Sequence, residues 1–301
     1  MNCLHQGEIL SVISALAWAV AVILFRISGQ KISPLALNLF KSTLASFLLL
    51  FSAWIFFPEN SLINFKSFIL LIISGFFGIA LSDTLFFICL NNLGASITAI
   101  VECLYSPFVI ALSILFLGET IKERQLVGVG LILAAIIAIS WPHQTKFEID
   151  QVRAKAHQLI SGIIAGTLSM LFTAVGIVMI KPLLSQLPIF WVAAIRMTAG
   201  ALFLWLALLC FPSRKKILQP LFISSNWGIM TTASLIGAYG GIIAWVAGMK
   251  YTAASIAASL NQLNTVFIFG LAVLFLKERI NLLRFLAFIV ALVGAFLASW
   301  A

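Results

Sequence analysis

Leu39-Phe40-Lys41-Ser42-Thr43-Leu44-Ala45 lies inside one apolar run, and Ala194-Ile195-Arg196-Met197-Thr198-Ala199-Gly200 lies inside another, 155 positions later. Each carries a cation seven residues into its run. At the same offset Arg26 aligns with Lys181. Further along the offset is 159. There Phe116-Leu117-Gly118-Glu119 matches Phe275-Leu276-Lys277-Glu278, Ala95-Ser96 matches Ala254-Ser255, and Trp141 matches Trp300. A second-half loop around 212–224, four residues longer, accounts for the change. Apolar residues match each other by chance. Charged and tryptophan anchors that recur at near-constant offset mark an internal duplication.

The solvent of these two copies follows from composition. The chain is 62% hydrophobic and 9% charged, against roughly 25% charged residues in a soluble domain. Ten apolar runs are read: 8–25, 34–57, 67–90, 95–117, 125–141, 158–180, 189–211, 225–249, 253–276 and 283–300. Their lengths suit a hydrocarbon core of about 30 Å. A backbone in lipid must satisfy its own hydrogen bonds, and these runs lack the alternation of barrel strands. The expected fold is all-α and integral to the membrane, with ten transmembrane helices in two five-helix repeats. The repeats cover 1–141 and 158–301, with a polar central loop at 142–157. Five is odd, so the second copy must enter from the opposite side. The result is an inverted repeat about a pseudo-two-fold axis in the membrane plane.

Several function classes lose support. The net charge of +9 comes from Lys and Arg in short groups between apolar runs, as in membrane proteins. No continuous basic face suggests nucleic acid; the expected surroundings are the lipid bilayer. Cys3, Cys89, Cys103 and Cys210 form no Cys-x-x-Cys pair, so neither a disulfide framework nor a metal site is expected. His5, His143 and His157 lie outside the spans, which leaves a histidine relay without support. No Gly-x-x-x-x-Gly-Lys-Ser/Thr is present, so no nucleotide cofactor is expected. Met1 to Gly7 contain no Lys or Arg; the first run reads as a retained span rather than a cleaved signal.

The two five-helix units resemble the ten-helix EamA-type branch of the drug/metabolite transporter superfamily. The resemblance rests on the Leu-Phe-Leu-Gly-Glu119 and Leu-Phe-Leu-Lys-Glu278 helix ends and on Lys41 and Arg196. Gly94-Ala95-Ser96 and Ala253-Ala254-Ser255 add to it. It implies a secondary transporter rather than an enzyme. The substrate would be a small polar metabolite, of amino-acid or related type, exported by alternating access. It also implies a multi-pass protein of the cell membrane, the inner one in a bacterium, that can work as a monomer because it is a fused duplicate. Sugars and nucleoside or nucleotide-linked compounds are alternative cargo. A lipid-modifying enzyme would need a nucleophile–base or metal constellation, which the spans do not offer. A non-transporting assembly or sensor protein would be a closed apolar bundle.

Charged residues within spans are expensive and tend to face a cavity or a partner. Lys41, Asp83 and Glu102 each lie seven residues from one end of their run, and those ends share a membrane face. At 1.5 Å per residue all three sit about 10 Å deep. Trp18 falls at the same level. Carboxylates there could hold an amine or a proton, Lys41 a carboxylate, and Trp18 a ring or a cation. In the other half Arg196 matches Lys41, Asn261 matches Glu102, Ile242 matches Asp83 and Thr173 matches Trp18. One half is ionic and the other mainly amide, which suits a substrate with unlike ends. Ser255, Ser259 and Gln262 share a helix face that Asn261 and Asn264 widen. Pro107, one turn after Glu102, removes a backbone bond and can open the helix.

Plainer roles compete with these. Lys41 could pair with Asp83 or Glu102 only to join helices, and Ser, Asn and Gln also glue membrane helices together. Gly75, Gly78, Gly237, Gly240 and Gly241 suit close packing. Glu119 and Glu278 read as interfacial ion pairs with Lys122, Arg124, Arg279 and Arg284. For orientation, both termini inside leaves five basic residues on the cytoplasmic side and eleven opposite. The positive-inside rule therefore favours both termini outside, whereas the resemblance implies both inside, the topology adopted here.

Overall fold

A computed structural model describes residues 6–299 apart from 31, 57–62, 118–122, 141–148, 185, 213, 224–225, 252–259 and 279–280. All regular structure among the described residues is helical. The first half contains α1 (Gln6–Gly29), α2 (Pro34–Phe56), α3 (Phe65–Leu93), α4 (Ala95–Glu102), α5 (Tyr105–Leu117) and α6 (Glu123–Ser140). The second contains α7 (Ile149–Val178), the short α8 (Lys181–Leu184), α9 (Ile189–Cys210), α10 (Arg214–Ile223), α11 (Trp227–Gly248), α12 (Leu263–Leu276) and α13 (Leu282–Ser299).

Among the described residues, seven helical stretches are long and apolar enough to cross a membrane. They are α1, α2, α3, the α4–α5 stretch, the apolar part of α7, α9 and α11. Helix also occupies the other three expected runs, in shorter or less apolar form. Helix α12 has 14 residues, about 21 Å of rise, and the expected start of its run falls outside the described residues. Helix α6 opens with Glu123-Arg124-Gln125. Two expected loops contain helix instead. Residues 149–157 begin α7, where Gln, Arg, Ala and Lys favour helix. Residues 214–223 form α10, although Pro220 lies inside it.

The packing is unchanged when the halves are exchanged. Helix α1 packs on α11 and α12, and its counterpart α7 packs on α3 and on α4–α5. Helix α9 lies against α3, and correspondingly α2 lies against the middle of α11. The α2–α9 and α6–α13 pairs map onto themselves. Even a local irregularity repeats: α3 carries a π-helical segment at Phe76–Leu81, and α11 carries one at Ser234–Gly241. Such widened turns are rare and often mark functional sites.

Close helix approach explains several glycines. A Cβ on Gly75 would lie 2.3 Å from the Arg196 backbone oxygen, and one on Gly237 would lie 2.4 Å from the Ala21 Cβ. Gly240 differs, since a Cβ there would meet only the Leu235 oxygen of its own helix. Polarity is inside out relative to a soluble protein. Trp54 and Leu274 are 68% and 73% exposed, while Lys41 is 1% exposed. That distribution fits a lipid-facing exterior.

Candidate functional site

Where the halves meet, a cavity of about 190 Å³ opens. Its wall obeys the exchange. Ser14 faces Ser169 in the duplication, Trp18 Thr173, Lys41 Arg196, Gly78 Gly237 and Ile79 Ala238; all ten line the cavity. So do Ser82 with Gly241, Asp83 with Ile242, Phe86 with Trp245, Glu102 with Asn261, and Tyr105 with Asn264. These ten pairs supply twenty of the twenty-three lining residues. The cavity therefore sits on the pseudo-two-fold axis.

Of the nine residues expected to contact substrate, the structure brings together eight: Trp18, Lys41, Asp83, Glu102, Arg196, Asn261, Gln262 and Asn264. Ser259 and Ser255 lie outside the described residues. The expected common depth is realised as contacts. The Lys41 ammonium forms an ion pair with Asp83, and its Nζ stands 5.5 Å from the Phe87 ring centroid. Trp18 Nε1 donates to Glu102 Oε1 at 3.4 Å. Sequence reading left two partners open for Lys41; the structure assigns Asp83.

Two charged groups of the cavity are only partly satisfied. Glu102 Oε2 is buried without a hydrogen-bond partner, and so is Arg196 Nε. The Arg196 guanidinium lies against Gly78, where a Cβ would come to 3.1 Å from Nη2. The position that supplies Asp83 to Lys41 is Ile242 in the copy that holds Arg196, so no aspartate of its own half pairs with it. Native proteins rarely leave such groups unpaired without a reason in function.

The backbone opens beside these residues. Helix α4 ends at Glu102, and Cys103 and Leu104 donate to Ile100 and Val101 oxygens three residues back. Pro107, in the first turn of α5, has no N–H to offer the Cys103 oxygen, which accords with the expected local opening. Pro107 does not line the cavity. The second copy breaks at the corresponding place without proline: Gln262 precedes α12 and Thr265 N donates to its oxygen at 3.2 Å. Gln262 Nε2 also donates to Ser106 Oγ at 2.5 Å, joining the two breaks.

Serines fasten the π-helical turns symmetrically. Ser14 Oγ donates to the Gly241 oxygen at 2.9 Å, and Ser169 Oγ donates to the Ser82 oxygen at 2.9 Å. Asn38 Nδ2 donates to the Ile79 oxygen at 2.9 Å, satisfying a carbonyl within the first widened turn.

The model of the EamA-like transporter family matches residues 5–141 and again residues 160–300. The chain belongs to the EamA-like transporter family. Its members are membrane transporters of small molecules, not enzymes, so this EamA-like chain is a multi-pass membrane protein of that kind. A solved crystal structure is 16% identical over 97% of this chain and 96% of its own, with a TM-score of 0.66. That likeness concerns the fold. Among curated proteins, none matches.

Sequence reasoning missed part of this EamA-like site. Phe86, Tyr105, Trp245, Ser14 and Ser169 line the cavity and are not among the candidates read from the sequence. The 159 offset could have found Tyr105, the duplicate of the candidate Asn264; Phe86 with Trp245 and Ser14 with Ser169 are duplicates of each other, so no candidate pointed to them. Glu278 has a role beyond the expected interfacial ion pair. Its carboxylate accepts from Ala95 N at 2.8 Å, from Ser96 N at 3.0 Å and from the Ser96 hydroxyl. It therefore caps the start of α4, where orphan N–H groups and the helix dipole favour an anion. A Cβ on Gly94, whose φ is +81°, would lie 2.8 Å from Glu278 Oε1. Arg26 likewise serves a helix end, donating to the Leu90 and Asn91 oxygens at 2.9 Å. Glu119, Lys122 and Arg279 lie outside the described residues.

Proposed function

We propose that this chain is a secondary transporter that exports a small polar metabolite, an amino acid or related compound, by alternating access. The observation that carries this reading is the polar cavity on the exchange axis. A site shared by two copies, at interrupted helices, is the arrangement transporters use to present one site to either side. A closed apolar bundle would have supported an assembly or sensor protein.

On this reading ten helices span the membrane as two inverted repeats, 1–141 and 158–301, and both termini lie inside. The fused duplicate works as a monomer, in the inner membrane if the cell is bacterial. Trp18, Lys41, Asp83, Glu102, Arg196, Asn261, Gln262 and Asn264 form the wall met by substrate, with Ser259 extending its amide face. The break at Pro107 lets the α4 end move. Proton exchange, where it drives transport, runs through Glu102 or Asp83.

Purified protein in liposomes tests the reading with a metabolite panel and an imposed pH gradient. Saturable movement of an amino acid or a close relative is expected. Flux indifferent to the gradient and to Glu102→Gln removes proton coupling; no protein-dependent flux of any solute removes the transporter reading.

A further inference from the structure

The exchange that relates the two halves of the cavity wall is broken in one direction. Twenty of the twenty-three lining residues are duplicate pairs, and the remaining three, Met170, Ile177 and Gln262, all come from the second half. Their duplicates in the first half are Ala15, Val22 and Cys103. None of these lines the cavity, and each is 0% exposed. The cavity therefore reaches along α7 to Ile177 and stops short of Val22 on α1. On the inverted reading the ends of α1 and α7 lie at opposite membrane faces, so this state is closed toward one face. Val22, Phe25, Leu90, Ala99, Cys103 and Ile268 are buried in one apolar cluster that forms the seal.

We propose that Glu278 is the latch of that seal, and that its release from the start of α4 is the step that opens the cavity toward this face. This rests on the transporter reading above and names its moving contact. The Glu278 carboxylate belongs to the second half and holds the Ala95 and Ser96 N–H groups of the first. Both sides of the contact use unusual backbone. Lys277, with φ +51°, is the one non-glycine residue of left-handed conformation among the described residues. Such a residue persists where its surroundings hold it in place. Gly94, with φ +81°, leaves Glu278 the room that a Cβ would take. Arg26, toward the same end of α1 as Val22, donates to the last carbonyls of α3 and lies within electrostatic reach of Glu278. The ends of α1, α3, α4 and α12 are thus tied at one point. A capping contact is strong enough to bias two states and weak enough to be given up in exchange between them. When the halves exchange roles, Ala15, Val22 and Cys103 enter the cavity wall, and Met170, Ile177 and Gln262 leave it.

The test reads the two states by thiol labelling of the full-length protein, in membrane vesicles of either orientation, with a small membrane-impermeant methanethiosulfonate. One form keeps Cys103 as its only cysteine; a second, otherwise free of cysteine, carries Ile177→Cys. The Ile177→Cys form should react from the face opposite Glu278, and the Cys103 form only slowly. Glu278→Ala should raise Cys103 labelling from the Glu278 face by roughly 2- to 30-fold, the population shift that loss of a capping side chain supports, and lower labelling of the Ile177→Cys form. Glu278→Gln, which keeps an acceptor, should shift both by less. Gly94→Ala, whose Cβ displaces Glu278, should give the same result from the first half, and it serves where Glu278→Ala fails to fold. Faster labelling of both forms is general loosening and overturns the latch. Unchanged labelling of both, with faster hydrogen exchange at Ala95 and Ser96, overturns it too, because the cap is then lost without opening. Saturable flux with no reciprocal shift removes the latch and leaves the transporter reading; a reciprocal shift with no flux of any solute removes the transporter reading and leaves the latch.

Discussion

The first and second halves of this EamA-like chain share a fold and a cavity wall but not a charge pattern. In the first half a cation meets an aspartate and closes on it; in the second the same cation position meets Ile242 and stays open. The comparison separates two tasks that one duplicated position performs. Lys41 joins helices through Asp83, and Arg196 keeps a buried Nε without a hydrogen-bond partner. Duplication supplied both positions, and loss or gain of one carboxylate made them unlike.

The contrast is broken most severely by removing one partner of the closed pair. Lys41→Met removes the ion-pair partner of the partly buried Asp83. Loss of one partner of a buried ion pair typically destabilises by about 3–5 kcal/mol, so the thermal midpoint in detergent should fall steeply. Lys41→Met combined with Asp83→Leu should recover most of that loss, because two apolar side chains replace the pair. Arg196→Met, on the open side, should be milder for stability and severe for transport. Equal destabilisation by Lys41→Met and Arg196→Met would contradict the division of tasks.

A smaller effect probes how the halves pack. Gly75 and Ser234 occupy equivalent positions where the two π-helical segments begin. Only Gly75 faces a backbone at close range, its missing Cβ lying 2.3 Å from the Arg196 oxygen. Gly75→Ala must push α9 from α3 and shift Arg196 with it. Overpacking of this kind costs about 1–3 kcal/mol, with impaired transport as a second readout. Ser234→Gly, in the half that already tolerates a side chain, should change stability by less. The two substitutions are read side by side as unfolding midpoints.

Glu278 gives a third test, of a helix end in one half capped by a carboxylate of the other. Glu278→Ala strips acceptors from the Ala95 and Ser96 N–H groups. Loss of a capping side chain costs about 0.5–2 kcal/mol. Glu278→Gln retains an acceptor and should lose less. Hydrogen exchange at Ala95 and Ser96 should accelerate in the alanine variant, which separates lost capping from general destabilisation.

Much of this was legible before any coordinates. The offsets between Lys41 and Arg196 and between the two Leu-Phe-Leu ends placed the duplication. Counting residues from the ends of the spans put Trp18, Lys41, Asp83 and Glu102 at one level, and all four line one cavity. The choice of Asp83 rather than Glu102 for Lys41 was not legible, because depth fixes a level and not an azimuth around the helix axis. The π-helical turns were invisible to periodicity, since the carbonyl of Ile79 is satisfied by Asn38 on another helix and that of Gly241 by Ser14. Glu278 misled because its partners lie 182 and 183 residues away in sequence, whereas basic neighbours stood beside it.

The smallest effect tests whether the two widened turns are held alike. Ser14 and Ser169 are duplicates, and each donates to the oxygen of an equivalent residue, Gly241 or Ser82. Side-chain hydrogen bonds between membrane helices average about 0.6 kcal/mol, so Ser14→Ala and Ser169→Ala should each lower stability by roughly that amount. Ser82 Oγ also donates to the Ser169 backbone oxygen at 3.0 Å and shares a 2.5 Å contact with Thr173 Oγ1. The α3–α7 junction therefore has polar links that the α1–α11 junction lacks at the equivalent Gly241, which has no side chain. Ser169→Ala should consequently be the better tolerated of the two, and Ser169→Ala with Ser82→Ala should exceed the sum of the single losses. A larger loss for Ser169→Ala than for Ser14→Ala would show that the extra hydroxyls depend on Ser169 rather than back it up.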